Sequence, residues 1–143
     1  MTPPALDGAL VHAKLRAMRE LLDDLDAVGA VDAARLETDR MLRHAVERIL
    51  TQLVELAAAV NGHLAVARLG RGTTTYRESF ALAAEAGGLP EDLAERLAPS
   101  AGLRNVLVHE YARVDLAFVA RGVALARSDY REYVREVARS LPT

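Results

Sequence analysis

No cysteine occurs among the 143 residues. A disulfide scaffold and a thiolate zinc site are therefore excluded. No apolar run approaches the roughly 18 residues that a membrane span needs. The N-terminus, Met1-Thr2-Pro3-Pro4, has neither the basic nor the apolar region of an export signal. A soluble, cytoplasmic protein with no membrane association is expected. Of the 18 basic residues only Lys14 is a lysine. The strict alternation that marks half-buried strands is missing, as are internal repeats and low-complexity tracts.

What remains is half apolar, at 51%, which allows a substantial core and argues against global disorder. The length fits one domain spanning residues 1–143. A net charge of −2 argues against a protein that coats nucleic acid non-specifically. The charge is uneven, however. Residues 1–39 hold four basic and eight acidic side chains, whereas residues 96–143 hold eight basic and five acidic ones.

Helical spacing runs through nearly the whole chain. Leu10, Lys14 (by its stem), Leu15, Met18, Leu21, Leu22 and Leu25 make one stripe, with Asp7 as N-cap and Gly29 as the stop. Asp32 is expected to cap a long second helix carrying Leu36, Leu42, Val46, Ile49, Leu50, Leu53, Leu56 and Val60, ended by Asn61-Gly62. Residues 68–75 read as a polar loop. A short helix follows, with Tyr76, Phe80 and Leu82 inward, stopped by Gly87-Gly88. Leu89-Pro90-Glu91-Asp92 opens the next helix, which Pro99 should kink or split. Asp115 can cap a last long helix with Leu116, Val119, Val123, Ala126, Tyr130, Tyr133, Val134 and Val137 on one side. The expected fold is an all-α, up-and-down bundle of about five helices.

The richest chemistry lies in Arg104-Asn105-Val106-Leu107-Val108-His109-Glu110-Tyr111. A helix turns about 100° per residue. With Arg104 at zero, Tyr111 falls near roughly −20°, Val108 near 40°, Asn105 near 100° and His109 near 140°. Leu103, Val106 and Leu107 take the opposite side. Arg is suited to phosphate oxygens and His to proton transfer near neutral pH. Such a face suits cleavage of RNA by its own 2′-hydroxyl. His109 would be general acid or base, Arg104 the clamp on developing negative charge, and Asn105 an orienting group. One motif histidine per chain is thin for a reaction wanting both an acid and a base, and a symmetric homodimer would supply a second.

The block Arg104-Asn105-x-x-Val108-His109-x-Tyr111 resembles the Arg-x(4–6)-His signature of HEPN domains. With a tyrosine two places after the histidine, it resembles more closely the HepT-like toxins paired with a minimal nucleotidyltransferase antitoxin. Arg40 to Glu55, Tyr76-x-x-x-Phe80 and the last helix extend the resemblance over about residues 7–140. It implies an all-α homodimer or higher assembly with its cleft at the subunit interface, and a metal-independent endoribonuclease acting on cellular RNA. It implies Arg104 and His109 as the catalytic pair, with Asn105 beside them. It also implies a separate nucleotidyltransferase antitoxin that adds AMP to Tyr111. No cofactor is implied. The alternative is a non-cleaving HEPN subunit that binds nucleotide or a partner for a nucleotidyltransferase complex.

The other polar features read more plainly. His12 and His44 are expected to face solvent and His63 to sit at a helix end, and no histidine spacing suggests a metal. Arg127, Arg131, Arg135 and Arg139 read as a solvated ridge neutralised by Glu132 and Glu136, or else as a track for RNA or for acids of the antitoxin. Glu20, Asp23, Asp24 and Asp26 read as a wet helix end. Gly70-Arg71-Gly72 reads as a flexible connection. Glu55, mid-helix among apolar residues, is either a border residue or a partner for an arginine, with Arg104 one choice.

Overall fold

Short polar side chains decide where the helices begin. In the computed structural model, which describes residues 5–109 and 114–142, Asp7 caps α1 (Gly8–Ala27) by accepting from the Leu10 N–H at 3.0 Å. Asp32 does the same for α2 (Ala33–Thr38). Thr75 caps α4 (Tyr76–Glu85) and Asp115 caps α7 (Leu116–Leu125). Each satisfies a backbone donor that the helix itself leaves without a partner. Between α4 and α7 lie α5 (Glu91–Leu97) and α6 (Ser100–His109), separated at Pro99 as its missing N–H predicts. After α7, one π-helical turn (Ala126–Tyr130) leads into α8 (Arg131–Ser140). Among the described residues the fold is all-α, with no strand.

The helix expected from Asp32 onward is in fact two. Thr38 turns its hydroxyl back onto the Ala34 and Arg35 carbonyls. Asp39 leaves the helical region (φ −113°, ψ 90°) and accepts from the Leu42 N–H at 3.0 Å, so it caps α3 (Arg40–Leu69) afresh. Asp32 therefore heads a helix of six residues.

Asn61-Gly62 does not stop α3. Asn61 is fully buried and its amide is committed to the interior. It donates to Ser79 Oγ at 3.1 Å and accepts from the Tyr133 hydroxyl at 2.6 Å, so it does not compete for the local backbone. A glycine inside a helix costs about 1 kcal/mol, which burial of Leu64 and Ala65 just beyond it outweighs. The helix ends instead at Gly70, whose φ of 67° falls in the left-handed region that glycine adopts freely. His63 is thus internal to α3. Its Nε2 accepts the Asp7 N–H at 2.9 Å, fastening the start of α1 to α3.

The 30-residue α3 packs against α1, α2, α4, α6 and α7 and forms the axis of the bundle. By length and composition it alone among the described residues would qualify as a membrane span, although polar residues interrupt it throughout. Its apolar side is occupied by other helices: Val46, Leu50, Leu53, Val54, Val60 and Leu64 are all buried in the core. The α1 stripe stands as expected at Leu15, Met18, Leu22 and Leu25 and differs at its start. Val11 is buried, whereas Leu10 is 41% exposed. The stripe of the last helices stands as expected from Val119 to Val137. Tyr133 meets Phe80 and Tyr130 edge-on, at ring centroid separations of 6.2 and 6.1 Å. Tyr130 shares a hydrogen bond with Ser100 at 2.7 Å. Burial pushes the Tyr130 phenol up despite that bond, and raises Tyr133 as well, with Tyr130 adding to the effect.

The arginine ridge is neutralised mainly by α1. Arg131 reaches Asp23 at 2.9 Å and Asp26 at 2.6 Å. Arg127 donates to the Leu25 and Gly29 carbonyls. Glu132 pairs with Arg96 instead, and Glu136 with Arg139. Asp23 and Asp26, two of the four acids read as a wet helix end, thereby join α1 to the C-terminal helices while staying exposed.

Candidate active site on the sixth helix

Helix α6 is held by its apolar side. Leu103 and Leu107 are buried, and Ser100 at its start bonds both the Leu97 carbonyl and Tyr130. Helix α7 comes close because residue 122 is glycine. A Cβ there would stand 2.5 Å from Leu103 Cδ2. With that side fixed, Arg104, Asn105, Val108 and His109 turn outward. Asn105, Val108 and His109 are exposed and Arg104 is half-buried. The one-sided presentation expected from helical spacing is therefore found for these residues. Tyr111 lies outside the described residues.

Arg104 is the most constrained member. Its Nη2 donates to Glu55 Oε1 on α3 at 3.2 Å. Its guanidinium carbon lies 5.2 Å from the centroid of the Tyr76 ring, within the range of a cation–π contact. Its Nε is buried and unpartnered among the described residues. Two helices thus fix the arginine, α3 by charge and α4 by an aromatic face. The carboxylate orients the guanidinium and competes with any phosphate for it.

Tyr76 does not point inward as its spacing with Phe80 suggested. Phe80 is fully buried, whereas Tyr76 is 38% exposed. It is the first residue of α4, before the core-facing register is established. Its position opposite Arg104 joins residues 28 apart in sequence, and helical spacing carries no information at that range. A groove of about 360 Å³ opens here, lined by Thr74, Thr75, Tyr76, Gly102, Arg104 and Asn105 among others. On the other side of Glu55, a second groove of about 480 Å³ runs between α1 and α3, past Lys14, Glu20 and Gln52.

His12 and His44 are exposed, as expected. Among the described residues, no group of three His, Asp or Glu side chains is placed to hold a metal ion. The chemistry available on α6 is a proton-transferring imidazole and a fixed guanidinium on one outward side, with an amide between them in sequence.

Comparison with known proteins bears on this site. The model of a family described as ribonuclease HepT-like matches residues 18–137. A tRNA nuclease HepT from Aphanizomenon flos-aquae is 28% identical over 133 residues, covering 92% of this chain and 90% of that protein. Among solved structures, a tri-AMPylated HEPN toxin of Shewanella oneidensis in complex with an MNT antitoxin is similar in fold. Its TM-score is 0.81 at 20% identity, covering 93% of this chain and 99% of that one. A toxin–antitoxin complex with AMP-PNP gives a TM-score of 0.82, also at 20% identity, covering 92% and 99%.

Proposed function

The chain belongs to the ribonuclease HepT-like family, and on that premise we propose that it is the toxin of a toxin–antitoxin pair, an endoribonuclease cleaving cellular RNA without a metal or other cofactor. The observation that carries the reading is the outward placement of Arg104, Asn105 and His109 on a helix whose Leu103 and Leu107 are buried. The similarity to a tRNA nuclease adds support.

In the proposed reaction the RNA 2′-hydroxyl attacks the adjacent phosphorus. An imidazole at His109 accepts the hydroxyl proton, and the 5′-oxygen leaves with a proton returned to it. Arg104 stabilises charge on the non-bridging oxygens, and Asn105 orients the phosphate or His109. The products are a 2′,3′-cyclic phosphate and a free 5′-hydroxyl. A homodimer of this helical domain, in the cytoplasm, brings a second His109 to the cleft so that one serves as base and the other as acid.

Silencing is assigned to a separate nucleotidyltransferase antitoxin, which transfers AMP from ATP to the Tyr111 hydroxyl and releases pyrophosphate. Helical spacing in the sequence puts Tyr111 on the side of Arg104, so the adduct's negative charge would compete with substrate phosphate for that arginine. The AMPylated toxin among the structural relatives motivates this assignment.

The test is induced expression together with assay of purified protein on RNA in the presence of chelator. Toxicity and cleavage are expected for the parent. His109→Ala should lower cleavage by about 10²–10⁴-fold, and retention of full toxicity would overturn the assignment. Co-expression with the antitoxin should add the mass of AMP to the parent and not to Tyr111→Phe.

One observation favours a second reading. Glu55 partly neutralises Arg104, which opposes its use on RNA phosphate and suits a subunit that docks a nucleotidyltransferase, itself the holder of the nucleotide, without cleaving RNA. Tight binding of the nucleotidyltransferase by calorimetry, without RNA cleavage, would select it.

A further inference from the structure

The groove beside Arg104 contains more than catalysis at a single phosphate requires. Tyr76 keeps 38% of its surface exposed. Its ring lies against the guanidinium at 5.2 Å, so a phosphate on Arg104 would sit within one nucleotide of an aromatic face. Across the groove, Gly102 presents no side chain, and a Cβ placed there would meet no atom within 4 Å. Asn105 is exposed at the rim. The groove, at about 360 Å³, falls at the small end of ligand-binding clefts, which begin near about 300 Å³.

The geometry points to this groove as a subsite for one unpaired nucleobase of RNA, next to the phosphate held by Arg104. The inference rests on the reading of the chain as an RNA-cleaving enzyme. The base stacks on the side of the Tyr76 ring that Arg104 leaves open, the vacant space over Gly102 admits it, and the Asn105 amide can both donate to and accept from its edge. Stacking on an aromatic side chain tolerates any base, so sequence preference at this position comes from the amide. A single-stranded segment is required, because a paired base cannot splay onto the ring.

The experiment uses short 2′-O-methyl RNA, which lacks the attacking hydroxyl, carrying 2-aminopurine at each position in turn. Quenching of its fluorescence reports stacking. One position is expected to quench on binding. Tyr76→Phe should keep the quench because the ring remains, and Tyr76→Leu should abolish it and weaken binding about five-fold or more. Gly102→Leu leaves Tyr76 and Arg104 in place and fills the groove, so it should abolish the quench too. Quenching at no position, or quenching that persists in both Tyr76→Leu and Gly102→Leu, overturns the subsite. Cleavage of ordinary RNA separates the two claims. A protein that cleaves but quenches no base loses the subsite alone. A protein that shows Tyr76-dependent quenching but cleaves nothing keeps the subsite and loses the nuclease reading.

Discussion

Glu55 places a carboxylate on the one arginine best situated to meet a phosphate. The pair is partly exposed, 20% for the Arg104 side chain and 39% for Glu55, so its strength is discounted toward that of a surface ion pair, up to about 1 kcal/mol. Glu55→Gln keeps an acceptor for Nη2 and removes the competing charge. Steady-state kinetics on RNA should show KM lowered about two- to five-fold with kcat little changed. A rise in KM would mean that the charge of Glu55 helps substrate rather than opposing it. The sequence made Glu55 visible because a carboxylate amid apolar residues of a helix wants a partner. It did not make Tyr76 visible in the same way. An aromatic residue four before a buried Phe80 looks like core, and only the three-dimensional approach of α4 to α6 shows that it faces a guanidinium.

Helices that begin on a cap were readable where the cap stood before an obvious apolar stripe, as at Asp7 and Asp115. They were misread where a break in the stripe was passed over. After Leu36 the positions three and four residues on are Asp39 and Arg40, so the apolar spacing lapses there, and that lapse marks the interruption at Asp39. Asp39→Ala removes the bond to the Leu42 N–H and should cost about 1 kcal/mol, measurable as a drop in melting temperature of about 3–4 °C. At Asn61-Gly62 the error ran the other way. A stop signal in the local sequence was overridden by an interior hydrogen-bond network built from α4 and α8. The seat of α6 depends on a different contact, the close approach at Gly122. A small apolar cavity beside it, lined by Leu50, Val54, Leu103 and Phe118 among others, can receive a displaced Leu103 methyl if the new side chain is only alanine. Gly122→Val overfills the contact and should lower stability by about 1–3 kcal/mol in urea unfolding. It should also impair cleavage, because α6 carries the outward-facing residues.

The all-α class followed from periodicity alone, which spans enough of the chain to outvote local errors. The homodimer implied by family resemblance belongs to a scale that one chain does not contain. For the whole molecule, the two buried phenols set an alkaline limit. Burial raises both Tyr130 and Tyr133, whereas a phenol in the unfolded chain ionises near about pH 10. The stability of the neutral phenols is therefore intact below about pH 10 and lost as the pH rises beyond it, because the unfolded chain can release protons that the folded one retains. In a Tyr76→Phe, Tyr111→Phe variant, whose only tyrosines are the two buried ones, a circular dichroism titration should show helicity lost above about pH 10, with phenolate absorbance growing in the same transition. Phenolate appearing well before helicity falls would mean that these tyrosines are open to solvent.

One chain of contacts links α8 to α4 through α3. The Tyr133 hydroxyl on α8 donates to Asn61, Asn61 donates to Ser79, and Ser79 donates to the main-chain carbonyl of Tyr76 at 2.6 Å. The main chain that carries the ring beside Arg104 is consequently tied to α8 through buried groups of the core. Losing that one hydroxyl, as in Tyr133→Phe, strands a buried acceptor at a cost of about 1–3 kcal/mol, and loosens the platform on which a nucleobase would rest. Under the proposed nucleobase subsite, variation in the deep interior would thus alter how tightly a base is held while every residue at the surface stays the same.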